Sequence, residues 1–177
     1  MLAPIRIPET KPATELIDGR LVQKMSPKWR HQELELRWTL ALRAWDGGRG
    51  RSIHEWRLEF TAPGHEFASL VPDVAYFSRE SLDALGLGRA EAPDRAPDAA
   101  VEILSPGDSQ ARLAWKIGAY LAGGAVVVFI VDPPRRTVAA HARDGVTTFA
   151  AGDTVRHASL PGFAFAIDAM FEGLDLS

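Results

Sequence analysis

The sequence predicts an α/β fold: a mixed central sheet flanked by helices, with a hairpin added near each end. Three observations carry this. First, residues 99–131 read as strand, helix, strand: an apolar run from Ala99 to Leu104, a break at Ser105-Pro106-Gly107, an amphipathic stretch to Ala122, then AVVVFIV. That last run is apolar throughout, as expected of a central strand covered on both faces. Second, Leu34, Trp38, Leu42 and Trp45 recur at helical spacing. Third, short strand-like runs turn at Asp18-Gly19 and Asp144-Gly145, the two-residue hairpin signal.

Taken in order, prolines at 4, 8 and 12 make residues 1–13 an extended arm, and residues 14–177 read as a single domain. Glu15-Leu16-Ile17 and Leu21-Val22 form the first hairpin. Ser26-Pro27 predicts a helix start, with serine as cap and proline at the first helical position. The helix runs to about Trp45 and ends at Gly47-Gly48. His31, Glu35 and Thr39 share a second stripe on it.

Ser52 to Phe60 alternates like a half-buried strand, with Glu55 among its polar positions. Val71 to Phe77 is the next strand, with Val71, Asp73, Ala75 and Phe77 on one face. Ser78 caps a short helix, Arg79 to Leu85, and residues 86–97 form a surface loop. The strand from Ala99 puts Ala100, Glu102 and Leu104 on one face. The helix after it buries Leu113, Ile117, Tyr120 and Leu121, with Lys116 beside that stripe. The segments 99–104 and 125–131 with their connecting helix form a right-handed crossover unit. A second hairpin, Thr137 to Ala150, and a short strand and helix within 160–171 complete the chain.

Composition removes several function classes. The chain has 177 residues, 46% hydrophobic and 24% charged, which suits one soluble domain with a proper core. It has no cysteine, so disulfides, thiol nucleophiles and cysteine-based zinc sites are excluded, and a reducing cytoplasm is the expected compartment. No signal-like segment opens it, and the longest non-polar stretch, Leu121 to Val131, is too short to span a bilayer. A net charge of -3 argues against non-specific coating of nucleic acid, because such proteins are basic. The five histidines lack metal-site spacing, and His54-Glu55 lacks the cysteines of a zinc deaminase. Gly86 and Gly88 make no dinucleotide fingerprint, and no GxSxG is present.

The informative residues are the acids set inside apolar runs. Burying a carboxylate costs several kcal/mol unless it is compensated. Asp73 and Glu102 each interrupt a core strand, and Lys116 follows on the next helix. Hard cations such as Mg²⁺ take oxygen ligands, commonly one or two carboxylates. If the two strands are neighbours, Asp73 and Glu102 can hold Mg²⁺ or Mn²⁺, with the backbone carbonyl of Ile103 as a third oxygen. Glu55 or Glu35 would serve a second metal or a metal-bound water. Lys116 would orient the water or stabilise developing charge. Arg49, Arg51, Arg89 and Arg95 could meet phosphates. The competing reading is a structural ion pair between Glu102 and Lys116, since perturbed acids also occur in structural networks.

These residues resemble the PD-(D/E)xK nuclease superfamily, and more closely the Uma-two-type family of restriction-endonuclease-like proteins. The likeness covers about residues 14–172. It rests on ELIDGRLV with MSP and His31, VPDVAYF, PDAAVEILSP, Lys116 with Tyr120, IVDPPRRTV and LPGFAF. It implies a restriction-endonuclease-like fold and a metal-dependent DNA endonuclease with Asp73, Glu102 and Lys116 as catalytic residues. DNA is the implied partner, and a homodimer or higher homo-oligomer the implied assembly. The alternative is a catalytically inactive nuclease-fold module that binds DNA or protein. This chain departs from the pattern at Leu104, where the superfamily's lysine usually stands, and at Arg112, Val127, Phe129 and Arg20.

Overall fold

A computed structural model describes residues 6–86, 88 and 91–175. Part of the extended arm expected at 1–13, part of the loop expected at 86–97, and Arg89 lie outside the described residues. Among those described, no helix is long and apolar enough to cross a membrane.

The first hairpin, β1 (Thr14–Ile17) and β2 (Arg20–Gln23), turns at Asp18-Gly19, both with positive φ. Helix α1 spans Trp29–Asp46 and ends at Gly47, which adopts the left-handed conformation. Its start differs from the expected one. Lys28 is the cap residue, without a capping side chain, because residues 24–28 run outside any helix or strand and carry Lys24 inward.

The alternating run 52–60 is two strands. β3 (Arg51–His54) and β4 (Leu58–Phe60) belong to different sheets, separated at Glu55, which has φ +51°. The run 71–77 is likewise divided. β5 (Ala68–Leu70) ends before it, Val71-Pro72-Asp73 crosses between the sheets, and β6 is Val74–Phe77. Asp73 therefore sits at the mouth of β6 rather than within it. Then follow α2 (Arg79–Leu85, capped by Ser78 as expected), β7 (Ala99–Ile103), α3 (Gln110–Ala122) and β8 (Val127–Asp132). The second hairpin is β9 (Thr137–Ala142) with β10 (Gly145–Phe149). A small pair, β11 (Thr154–Val155) and β12 (Phe165–Ala166), leads into α4 (Ile167–Phe171).

The large sheet has the order β10-β9-β8-β7-β6-β3, parallel at β7–β8 and antiparallel elsewhere. A second sheet, β2-β1-β5-β4, is antiparallel. Alternation sorts the side chains. Val74, Tyr76, Val101 and Phe129 pack with Leu34, Trp38 and Leu42 of α1. Ala75, Phe77, Ala100 and Val128 pack with Tyr120 of α3 and with Leu58, Phe60 and Leu70 of the small sheet. Asp73 and Glu102 are in phase with this second set. The two core faces thus meet at one end of β6 and β7, where both acids lie.

Trp38 anchors the first face. It is fully buried and its ring lies 5.0 Å from Phe129, 5.4 Å from Phe165 and 5.9 Å from Phe163. Trp38→Ala is expected to lower the unfolding free energy by about 3–5 kcal/mol in urea denaturation. A loss below about 1 kcal/mol would show that this face does not depend on the indole.

Candidate metal centre

The register of the central strands brings the acids together. Val74 of β6 pairs with Val101 of β7. One more step along that antiparallel register sets Asp73 across from Glu102. The Asp73 carbonyl accepts the Glu55 N–H at 3.3 Å on the β3 side, and its side chain makes the link to β7. Its Oδ2 accepts the Ile103 N–H at 2.6 Å, and its Oδ1 accepts from the Lys24 ammonium at 2.6 Å. The same ammonium donates to the Val71 carbonyl at 2.9 Å. Asp73 is 2% exposed, so the carboxylate is held inside by two strong donors.

Glu102 is buried one residue away, and α3 supplies its partners. Its Oε1 lies 2.7 Å from the Lys116 ammonium and accepts the Tyr120 hydroxyl at 2.8 Å. Lys116 and Tyr120 are four residues apart and so share a helix face. Lys116 also reaches Glu15 on β1, at 3.0 and 3.3 Å to its two oxygens. Glu15 Oε1 in turn accepts the Val71 N–H at 2.8 Å.

The first turns of α1 close the third side. His31 Nε2 faces two oxygens, the Ile103 carbonyl at 3.1 Å and Asp73 Oδ2 at 3.3 Å. His31 Nδ1 lies 3.2 Å from Oε1 of buried Glu35. Among the described residues, His31, Glu35 and Asp73 gather their donor atoms within 4.8 Å of one another. A cavity of about 240 Å³ opens onto this group, bordered also by Glu15, Lys24, Glu102 and Lys116.

The sequence-predicted residues Asp73, Glu102, Lys116 and Ile103 thus meet at one cavity. Lys116 differs from expectation in being buried between two carboxylates. Glu55 borders the same cavity but is exposed, and both Glu55 and Glu102 lie outside the close donor group of His31, Glu35 and Asp73. Arg49, Arg51 and Arg95 each bond to a residue within three positions of their own. Sequence reasoning missed Glu15 and Lys24, and placed His31 on the Glu35 stripe without a metal role. β1 is buried at all four positions, so Glu15 needs a buried cation, but only the structure shows that burial.

Residues 4–168 match the family Uma2, described as Putative restriction endonuclease. The chain belongs to the Uma2 family. It is also similar to a crystal structure of a putative nuclease belonging to DUF820 from Anabaena variabilis, at 26% identity and a TM-score of 0.80, covering 93% of each chain. No curated protein matches it. With the mixed sheet flanked by helices, this likeness makes the Uma2 fold restriction-endonuclease-like.

The charges of this Uma2 site shift one another. Burial alone would raise Asp73, but the Lys24 charge and the His31 contact hold its carboxyl well below the usual range. Burial pushes Glu102 up to about 7 against the pull of Lys116, and the charges of Asp73 and Glu15 add to the rise. Burial would lower His31, but its contacts with Asp73 and Glu35 outweigh that and raise it to about 10. For Lys116, burial is again outweighed, by Glu102 and Glu15, and the ammonium is held above its ordinary value. Burial and then the Glu102 charge raise the Tyr120 hydroxyl, which stays a donor.

These directions fix how stability follows pH in chelated protein. Glu102 ionises more readily when unfolded, so its contribution falls as pH rises from 4.5 to about 7. The His31 contribution is complete below 6.5 and is lost as pH approaches about 10. Asp73 acts oppositely, and its contribution is lost as pH falls below 3.8. Melting in the presence of a chelator is therefore expected to fall steadily between about pH 5 and pH 9. His31→Gln should flatten the upper half of that slope and Glu102→Gln the lower half. A parent protein whose melting temperature rises across this range contradicts the assignment.

Proposed function

We propose that this Uma2 chain is a metal-dependent endonuclease that hydrolyses phosphodiester bonds in DNA. Asp73, Glu102 and the Ile103 carbonyl are the oxygen ligands in this reading, and Mg²⁺ or Mn²⁺ the cation. The observation that carries it is the anchoring of Asp73 on the end of β7. Asp73 is locked to the Ile103 N–H, which holds Glu102 and the Ile103 carbonyl beside it at the cavity. Oxygen donors from two adjacent strand ends suit a hard divalent cation. The family description and the nuclease name of the similar crystal structure support nucleic acid as the substrate class.

A divalent cation bound there lowers the pKa of a water and offsets charge on the phosphate. The chain's own residues prepare the place. Lys24 keeps Asp73 ionised and fixes one of its oxygens, leaving the other toward the cavity. Lys116 opposes the upward shift of Glu102 and so favours its ligating form. Tyr120 fixes the orientation of the same carboxylate. In this reading Lys116 is a positioning residue that acts through Glu102.

A second reading has support from the same geometry. Lys24, His31 and Lys116 already compensate the buried acids without a metal. A nuclease-fold module that binds DNA or protein without cutting would look like this. Plasmid nicking separates the two. The endonuclease reading expects nicking in Mn²⁺ or Mg²⁺, abolished by chelator. Asp73→Asn and Glu102→Gln should each slow it by about 100-fold or more. Variants that cut like the parent, or a parent that binds DNA in chelator and cuts in neither ion, would remove the endonuclease reading.

A further inference from the structure

We propose that His31 is itself a ligand of this metal site, oriented by Glu35, and that its nitrogen biases the site toward Mn²⁺ over Mg²⁺. The inference rests on the Asp73-centred reading above. Its first support is spacing. Two donors at right angles on one cation, with bonds of roughly 2.1 Å, stand roughly 3 Å apart. His31 Nε2 lies 3.1 Å from the Ile103 carbonyl oxygen and 3.3 Å from Asp73 Oδ2. Each oxygen thus stands from the nitrogen at the separation of neighbouring corners of one coordination shell.

The second support is the buried carboxylate behind the ring. Glu35 is 6% exposed, and its Oε1 has no hydrogen-bond partner. His31 Nδ1 has none either, and the two atoms face each other at 3.2 Å. A carboxylate on the far nitrogen of an imidazole is the usual support of a metal-ligating histidine. With Nε2 committed to a cation, the hydrogen sits on Nδ1 and Glu35 Oε1 gains its donor. α1 sets this up in sequence, since His31 and Glu35 are one turn apart on the same stripe.

The third support is Asp73. The Ile103 N–H occupies one side of Oδ2, and Lys24 occupies Oδ1. The remaining lone pair of Oδ2 is the one near His31 Nε2. Such a mixed nitrogen and oxygen set suits a first-row transition ion, whereas Mg²⁺ favours oxygen and holds its waters.

The test is ion binding to chelated protein, without DNA. Mn²⁺ is titrated by the loss of its free-ion magnetic resonance signal, and Mg²⁺ by competition. The parent should bind Mn²⁺ at least about tenfold more tightly than Mg²⁺. His31→Gln should weaken Mn²⁺ by about tenfold or more, with a smaller change for Mg²⁺, and Glu35→Gln should weaken Mn²⁺ by about tenfold. Asp73→Asn should lose both ions. Pulsed resonance of the bound Mn²⁺ should show imidazole nitrogen coupling, and this reads the ligand in the parent even if a variant fails to fold. Ions bound and lost in Asp73→Asn, but with no nitrogen coupling and no change in His31→Gln, overturn the His31 assignment alone. A parent that binds neither ion overturns the metal reading of the site together with this inference.

Discussion

One carboxylate held by two donors organises the open end of this sheet. Asp73 is buried, and an uncompensated charge there would cost several kcal/mol. Lys24 and the Ile103 N–H supply the compensation from positions 49 and 30 residues away. The same contacts also settle the crossing between the two sheets. Pro72 has no N–H to satisfy. The Val71 N–H goes to Glu15, and the Val71 carbonyl accepts from Lys24. A segment leaving one sheet for another must place its backbone groups somewhere. Here it places them on the cavity's charged side chains, so the joint of the fold and the candidate site are one network.

That network has a definite charge balance. Glu15, Glu35, Asp73 and Glu102 face Lys24, His31 and Lys116. With the imidazole protonated and all four carboxylates ionised, one negative charge is left over. With the imidazole neutral, two are left over, the charge a divalent cation offsets. The upward shift of Glu102 and the downward shift of Asp73 express the same imbalance. Burial penalises both acids; at Asp73 the Lys24 charge and the His31 contact outweigh it, whereas at Glu102 Lys116 does not, and the charges of Asp73 and Glu15 add to the rise. Within this network the buried acids outnumber their cationic partners.

Much of this was legible in the residues, and the reasons for the rest are physical. Asp73 and Glu102 stood out because a lone acid in an apolar run is costly, and period-two alternation grouped them with Ala75, Phe77 and Ala100, which pack on the α3 side of the sheet. The β7–α3–β8 unit was legible because helix and buried-strand patterns follow one another without interruption. The break at Glu55 was not, because alternation continues unbroken through a residue that turns the chain between sheets. Ser26-Pro27 looked like a helix start, but the pull of Asp73 on Lys24 keeps the preceding chain extended. Lys24 and Glu15 carried no pattern of their own. Their partners lie 49 and 101 residues away, and only the packing of the hairpin against β5 and α3 brings them in.

The position of the lysine follows from the same packing. The residue two after Glu102 is Leu104, half-buried and packed with the α3-side core. A lysine there would compete for the space that α3 covers. Instead, α3 lowers Lys116 onto Glu102 from above, with Tyr120 one turn further along on the same oxygen. The helix also lets one ammonium serve two carboxylates, since Glu15 arrives from the hairpin on its other side. A lysine on the strand would be tied to the sheet alone, whereas one on the helix ties sheet, helix and hairpin together. That lysine is shielded within the wall, and Lys24 on Asp73, His31 on the Ile103 carbonyl and the exposed Arg112 are left as the more accessible basic groups of the site. Moving the lysine to the helix thus changes which side chains the cavity presents, while the acids stay where the strand register puts them.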